Sequence, residues 1–337
     1  MPSSRTKSPQ SDASASGISA RTALAQHPLC RRNYRVATAA IEEMVDLTLH
    51  CLSVLIPGAL IYARPRMGKT HAIDYLALHL ALHRPDVLVL RMSCEHHRTD
   101  HEGPFFASLL GAAGVAQPLP RSTSDKRFAL LRQISGRLQQ RDGFVVILFC
   151  DEAQRLSKHG LEWLRDLHDQ LAQHGFRLIT FLVGQPQLMQ QRAQYQASGD
   201  EQIVARFMIE HMAFRGIASP EDAATCMAGY DLTRYPDTHG PTFTGYFYPQ
   251  AWHAGFRLEH CAAALWNAFV RAHAASQLTG AVEIAMDYFT RAIETVLLQG
   301  PQWDRLGLEL DEACWERAVR QSGYVAAQTT VQRPGGY

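Results

Sequence analysis

Gly68, Lys69 and Thr70 stand together in the chain, and this combination of residues is suited to binding phosphate. The apolar residues 59–62 before them predict a buried strand, and residues 70–83 carry apolar side chains at helical spacing. A strand, loop and helix in this order direct backbone N–H groups and the positive end of the helix dipole at anionic oxygens. Lys69 would then meet the β- and γ-phosphates of a nucleotide, and the Thr70 hydroxyl would hold Mg²⁺.

The predicted phosphate loop begins at Ala63, where the usual loop pattern has its first glycine. The alanine methyl group would narrow the turn slightly, and a chance occurrence of Gly-Lys-Thr is the alternative interpretation. We expect the loop and the start of the helix to bind ATP through Ala63, Arg64, Pro65, Arg66, Met67, Gly68, Lys69, Thr70 and His71.

Two carboxylates, Asp151 and Glu152, directly follow the apolar run of residues 144–149 and Cys150. A strand buried on both faces needs no polar alternation, so this run predicts a central strand of a parallel sheet. Asp151 would then enter the Mg²⁺ shell, and Glu152 would polarise a water for attack on the γ-phosphate. Such a pair can also cap a helix, but its order and spacing after Gly68-Lys69-Thr70 favour a nucleotide site.

Further patterns predict the elements that position these residues. Apolar runs at 87–90 and 178–183 predict two more buried strands, and the alternating segment 207–213 predicts the last strand, so that Arg206 would follow a short helix. Helical spacing recurs between the strands. The expected fold class is therefore α/β, with a parallel P-loop NTPase sheet sandwiched by helices and a small helical lid domain.

Composition and helical periodicity divide the chain into four regions. Residues 1–33 are predicted to form a disordered tail, 34–218 the nucleotide-binding α/β domain, 219–326 the helical lid, and 327–337 a C-terminal tail. The lid is interrupted by an aromatic and proline-rich insert, residues 230–252, which predicts a long loop.

The charge and hydropathy of the chain limit its partners. Its 33 basic and 32 acidic side chains nearly cancel, so any contact with nucleic acid must come from a local patch. No run of eighteen apolar residues occurs, so a membrane span is not predicted. We expect a cytoplasmic protein without membrane contacts.

Cysteine and histidine usage agrees with this expectation. The seven cysteines are scattered and form no Cys-x-x-Cys pair, which is typical of reduced core residues in a cytoplasmic protein. His96, His97 and His101 have no cysteines at ligand spacing, so zinc is not expected.

Four blocks of sequence resemble the AAA+ ATPases that regulate DNA transposition, the TnsC, TniB and MuB group, within residues 41–298. The blocks occur in the order Arg66 to Thr70, Asp151 to Leu156, Leu182 to Gln185, and Asp200 to Phe207. The resemblance implies a homo-oligomer, a ring or helical filament, that assembles with ATP and Mg²⁺ on double-stranded DNA without sequence preference. It also implies recruitment or activation of a transposase together with a TniQ-like targeting protein, and hydrolysis coupled to disassembly.

The resemblance assigns roles to three further residues. Gln185 would sense the γ-phosphate at the end of its strand, Arg206 would be an arginine finger that reaches a neighbour's ATP, and Arg257 would be a nucleotide-sensing lid arginine. From the residues alone, each arginine is also open to interpretation as a surface residue in an ion pair.

Two loops are candidates for DNA contact. Arg98 and Thr99 follow the second strand, and a second group, Arg121, Ser122, Thr123 and Lys126, precedes or begins a long helix. Hydroxyls and long cations suit phosphate oxygens, and such contacts carry no base information. The alternative is that Ser124 and Asp125 here simply cap the helix.

Two other functions remain open at this stage. A P-loop ATPase could act as a switch or scaffold on a protein partner without touching DNA, or as a secretion-associated ATPase of the ExeA type.

Overall fold

A computed structural model describes residues 25–95 and 100–332 of the chain. These residues fall into two compact units. The α/β unit comprises residues 38–218 and the short segment 283–287, and the helical unit comprises the remaining described residues. After the α/β unit, the main chain enters the helical unit at Ser219.

The α/β unit contains a parallel sheet. Within the described residues the sheet has five strands in the order β2-β3-β4-β1-β5. Its helices and strands run in the chain order α1 Ala39–Val54, β1 Gly58–Tyr62, α2 Lys69–His83, β2 Leu88–Ser93, α3 Glu102–Ala112, α4 Thr123–Gln139, β3 Val145–Asp151, α5 Lys158–Gln173, β4 Arg177–Gly184, α6 Gln187–Ala197, α7 Glu201–Phe207 and β5 Glu210–Ala213. A turn of 3₁₀ helix, Ala153–Arg155, follows β3.

The central strands are buried on both faces. Val146 and Leu148 of β3 belong to the core that α3, α4 and α5 complete on one face. The neighbouring Phe149 points to the other face, where its ring stacks on that of Phe181 at 5.1 Å between centroids. This two-sided burial explains the uninterrupted apolar runs in the sequence.

Parallel pairing brings the carboxyl ends of the strands to one edge of the sheet. Tyr62 at the end of β1 pairs with Gly184 at the end of β4, and Asp151 at the end of β3 pairs with Val183. Motifs that are distant in sequence therefore meet at this edge.

The last strand of the sheet begins later in the chain than the sequence predicted. Phe207 and Arg206 belong to helix α7, and the last strand begins only at Glu210. The alternation over 207–213 was misleading because Ile203 and Phe207, four residues apart, are both fully buried on one face of α7. Arg206 consequently lies in the last turn of a helix and not after it.

The helical unit has its own core. Its helices are α8 Pro220–Leu232, α9 Phe243–Phe247, α10 Pro249–His253, α11 Ala262–Ala275, α12 Met286–Leu298, α13 Gly300–Trp303, α14 Glu312–Ser322 and α15 Tyr324–Gln332, with the first two residues of α12 counted in the α/β unit. Trp315, Phe269 and Phe289 are fully buried there.

The insert and the described parts of the predicted tails, residues 25–33 and 327–332, differ from their predictions. His27 and Leu29, assigned to the tail, are buried, and the His27 ring contacts those of Phe243 and Phe247. The insert is therefore not a long loop, because its aromatic side chains supply core through the short helices α9 and α10. The predicted C-terminal tail likewise begins inside α15.

Two further findings concern the helices and the cysteines of the described chain. No helix of the described chain is both long and apolar enough to cross a membrane. All seven cysteines lie in the described part of the chain and are free thiols.

Candidate functional site

The loop after β1 has the geometry of a phosphate cradle. Gly68, which precedes α2, has a φ of +102°, a conformation that only glycine adopts without strain. Arg66 is also left-handed, with a φ of +68°. Ala63 is not among the described residues with positive φ, and its N–H donates to the Gly184 carbonyl at 3.0 Å. The loop therefore has no need of glycine at position 63.

Lys69 lies inside this loop and is only 6% exposed. Its Nζ donates to the carbonyl oxygens of Ala63 and Arg64, both at 3.1 Å. Burial lowers the pKa of this ammonium, while the carboxylates of Glu152 and Asp151 act in the opposite direction. The ammonium is thus held by neutral carbonyls, which phosphate oxygens can replace with a gain of charge pairing.

The two loop arginines are paired with the segment 283–287. Arg64 forms an ion pair with Glu283, and Arg66 lies 3.6 Å from Asp287. The same segment is tied to the α/β unit through the Gly216 N–H, which donates to Glu283 at 3.0 Å. Of the other predicted loop residues, Pro65 and His71 are exposed and Met67 is buried.

Thr70 and Asp151 meet directly. Thr70 Oγ1 donates a hydrogen bond to Asp151 Oδ2 at 2.7 Å. A hydroxyl and a carboxylate oxygen are hard donors of the kind that Mg²⁺ prefers, and Mg²⁺ usually takes few protein ligands beside water and phosphate. These two residues would hold a magnesium ion, which would act as a Lewis acid toward nucleotide phosphates.

Glu152 lies beside this pair and is held by amide groups. Its Oε2 accepts hydrogen bonds from Gln154 Nε2 at 2.7 Å and from Gln185 Nε2 at 3.4 Å. Arg155 Nη2 lies 3.8 Å from the same oxygen. The structure therefore brings together Glu152, the candidate base, and Gln185, the candidate γ-phosphate sensor.

Arg206 has a partner in its own chain. Its Nη1 donates to Asp169 Oδ1 on α5 at 2.9 Å, and its side chain is 32% exposed. This contact is the ion pair that the alternative interpretation anticipates. A role on a neighbouring subunit stays a prediction.

Arg257 lies in the helical unit and is held within it. Its guanidinium carbon is 3.6 Å from the centroid of the Trp252 ring, and its Nη1 donates to the carbonyl of Phe256 at 2.7 Å. Both contacts come from the segment just before it. Its assignment as a nucleotide sensor also stays a prediction.

The candidate DNA contacts are only partly described. Arg98 and Thr99 lie outside the described residues. Ser122, and not Ser124, caps helix α4, because its Oγ accepts from the Asp125 N–H at 3.1 Å. Arg121 is exposed, whereas Thr123 and Lys126 are half-buried.

Sequence reasoning missed four residues that contact the predicted site residues. Gln154 lies within one of the four blocks but has no predicted role, although its distance of two residues from Glu152 offers a signal. No such signal exists for Asp169, Glu283 and Asp287. Their contacts with Arg206, Arg64 and Arg66 depend on the packing of segments that are distant in sequence.

The sheet order, the phosphate loop and the paired strand ends define the fold of the α/β unit as that of an AAA+ P-loop NTPase, which confirms the predicted fold class. Residues 58–191 match the sequence model of the family AAA_22, described as an AAA domain. No curated protein matches the chain.

Solved structures that are similar to this chain include ORC proteins of Aeropyrum pernix. The ORC2 protein of Aeropyrum pernix, in its ADPNP and ADP complexes, matches with a TM-score of 0.51 and 14% identity over 92% of this chain and 75% of that one. Its ADP form matches with a TM-score of 0.48 and 14% identity over 86% and 70%. The ORC1 protein of the same organism, in complex with DNA, gives 0.39 and 15% over 86% and 83%. At such identities the likeness to the first structure concerns the fold alone.

Proposed function

We propose that this protein binds ATP with Mg²⁺ at the loop of residues 63–70 and hydrolyses it. The hydrogen bond from Thr70 to Asp151 carries the proposal, because it unites the phosphate loop with the acidic strand end in one site. Lys69 lies in the same loop, and Glu152 is adjacent to Asp151 in the chain.

Each residue then has a definite task. Lys69 and the loop N–H groups bind the β- and γ-phosphates, and Thr70 and Asp151 hold Mg²⁺. Glu152 accepts a proton from water as the water oxygen attacks the γ-phosphorus and the bond to the β,γ-bridging oxygen breaks. ADP and inorganic phosphate are the products.

Steady-state phosphate release tests this proposal. Glu152→Gln retains shape and hydrogen bonding but cannot take the proton, so kcat should fall at least about 100-fold while ATP still binds. Lys69→Ala should abolish the rise in melting temperature that ATP and Mg²⁺ give the wild type. Lys158→Ala, which removes an exposed lysine paired with Asp200, is the matched control and should behave as wild type.

Absence of ATP hydrolysis by the wild-type protein, alone and with duplex DNA, would overturn the enzymatic proposal. A Lys69→Ala variant that keeps the full ATP-induced melting shift would overturn the assignment of the loop.

We further propose that the ATPase regulates DNA transposition as an oligomer on target DNA. The support is the resemblance to the TnsC, TniB and MuB group, carried by blocks that include Glu152, Gln185 and Arg206. Electron microscopy with ATP, Mg²⁺ and duplex DNA should show rings or filaments on the DNA. ATP-dependent assembly with no DNA present in the particles would favour a switch acting on a protein partner instead.

A further inference from the structure

We propose that Gln154 is a positioning residue for hydrolysis, which joins the base Glu152 to the strand end at Gln185 and so determines which carboxylate oxygen faces the attacking water. The inference rests on the proposed function and extends it to a residue outside both phosphate-binding motifs.

Both polar atoms of the Gln154 side-chain amide form hydrogen bonds. Its Nε2 donates to Glu152 Oε2 at 2.7 Å, and its Oε1 accepts from the Gln185 backbone N–H at 3.0 Å. A carboxylate can only accept and a backbone N–H can only donate, so the two partners permit one orientation of the amide. The Gln154 side chain is therefore a fixed bridge between the ends of β3 and β4.

The surrounding structure is adapted to this bridge. A Cβ atom at Gly184 would lie 2.3 Å from Gln154 Oε1, so only glycine leaves room for the amide at this strand end. The backbone carbonyl of Gln154 accepts from Gln191 Nε2 of α6 at 3.0 Å, which anchors the turn that carries it. Both the side chain and the main chain of Gln154 are thus held in place.

The two carboxylate oxygens of Glu152 differ in their hydrogen bonding. Both amide donors, from Gln154 and Gln185, bond to Oε2. No donor among the described residues bonds to Oε1, so this oxygen is the one available to a water. The proton of the attacking water would pass to Oε1, and the orientation of the carboxylate would depend on the amide that holds Oε2.

The same bridge links the base to Gln185, the candidate γ-phosphate sensor. The backbone N–H of Gln185 bonds to one end of the Gln154 amide, while the other end bonds to Glu152. Any shift of Gln185 toward a bound γ-phosphate would therefore reach the base through the Gln154 amide, in addition to the longer direct bond from Gln185 Nε2 to Glu152 Oε2 at 3.4 Å. The contacts that position ATP and the contacts that orient Glu152 would then be connected to one another.

The test compares kcat, KM for ATP and the affinity for a non-hydrolysable ATP analogue in the full-length protein. Gln154→Met has a similar length but makes neither hydrogen bond, and we expect kcat to fall about 10- to 100-fold with analogue affinity and KM within about twofold of wild type. Gln154→Glu keeps the length and places a carboxylate against Glu152, so kcat should fall at least as far. Gln196→Ala, at an exposed glutamine of α6, is the control and should leave all three values unchanged.

Combination with Glu152→Gln separates positioning from general damage. If Gln154 acts through Glu152, adding Gln154→Met to Glu152→Gln should reduce kcat by less than about threefold further. A full additional loss, a parallel loss of analogue affinity, or wild-type kcat in both Gln154 variants would overturn the inference. These outcomes presuppose an active wild type that Glu152→Gln impairs; failure of that condition overturns the proposed function itself.

Discussion

Arg206 Nη1 donates a hydrogen bond to Asp169 Oδ1 across 2.9 Å, which joins the last turn of α7 to α5 within one chain. The side chains are 32% and 52% exposed, and ion pairs as exposed as this contribute only about 0–1 kcal/mol. The pair orients the guanidinium without binding it strongly. Release of Arg206 to a phosphate on a neighbouring subunit would therefore cost little.

Arg206→Ala should leave ATP binding intact but abolish assembly-stimulated hydrolysis, because the cation would serve a neighbour's nucleotide. An arginine supplied by a neighbouring subunit raises the rate of hydrolysis roughly 10³–10⁵-fold in well-studied cases. Mixing Arg206→Ala with Lys69→Ala subunits should restore part of the activity, and no recovery at any ratio would argue for a role in cis. Asp169→Asn should retain stimulated turnover, and Arg177→Ala, at an exposed arginine, is the control.

Thr70→Val should remove the dependence of ATP binding on Mg²⁺ while leaving the fold intact, because the exposed hydroxyl contacts Asp151 and would hold the metal. The measurement is the ATP-induced rise in melting temperature with Mg²⁺ and with EDTA. The wild type should show the larger rise with Mg²⁺, and the variant should show equal rises. Thr295→Val, which removes a hydroxyl bonded within α12, should retain the wild-type difference. If Thr70→Val also retains it, the Thr70 hydroxyl does not hold the metal.

Arg121→Ala combined with Lys126→Ala should weaken DNA binding equally across sequences, because the expected contacts are to phosphates. For every phosphate that the double variant no longer neutralises, the slope of log K against log salt should become shallower by about 0.9. Fluorescence anisotropy with duplexes of different sequence, with ATP, measures both effects. Arg305→Ala with Arg320→Ala removes two exposed arginines of the helical unit and serves as a charge-matched control. Equal slopes for both double variants would remove the loop before α4 from the interface.

The buried His168 should make the protein sensitive to mild acid. Burial lowers the pKa of His168 from 6.5 to about 3, with the positive charge of Arg206 acting in the same direction, and the imidazole Nε2 lies 2.8 Å from Thr180 Oγ1. As pH falls below 6.5 the unfolded chain takes up this proton and the folded chain does not, so stability is lost between pH 6.5 and 3. The loss from this residue between about pH 7.5 and 5.5 should be about 1.4 kcal/mol.

Denaturant unfolding at the two pH values measures this loss. His168→Gln cannot titrate, so its unfolding free energy should fall less over the same pH interval, even if it is lower at the higher pH. His174→Gln, at an exposed histidine that caps the same helix, should keep the wild-type pH dependence. An unchanged pH dependence in His168→Gln would show that another group is responsible.

The local pattern of residues was sufficient to predict the fold class and much of the candidate site. Gly68, Lys69 and Thr70 are adjacent in the chain, and Asp151 follows a strand whose burial is evident from its apolar side chains. Because parallel strands end at one edge of a sheet, predicting the strands was enough to predict that these groups meet. Periodicity alone was less reliable at 203–213, where Phe207 fits the alternation of the strand that follows but lies with Ile203 on one buried face of α7.

Tertiary structure decided the contacts between groups that are distant in sequence and carry no local signal. The pairing of Arg206 with Asp169 depends on how α7 packs against α5, and that of Arg64 with Glu283 on the return of a segment from far along the chain. The role of Gln154 depends on the absence of a side chain at Gly184. Hydrogen bonds and ion pairs require separations of a few ångströms, and only the packed chain determines which distant polar groups reach them.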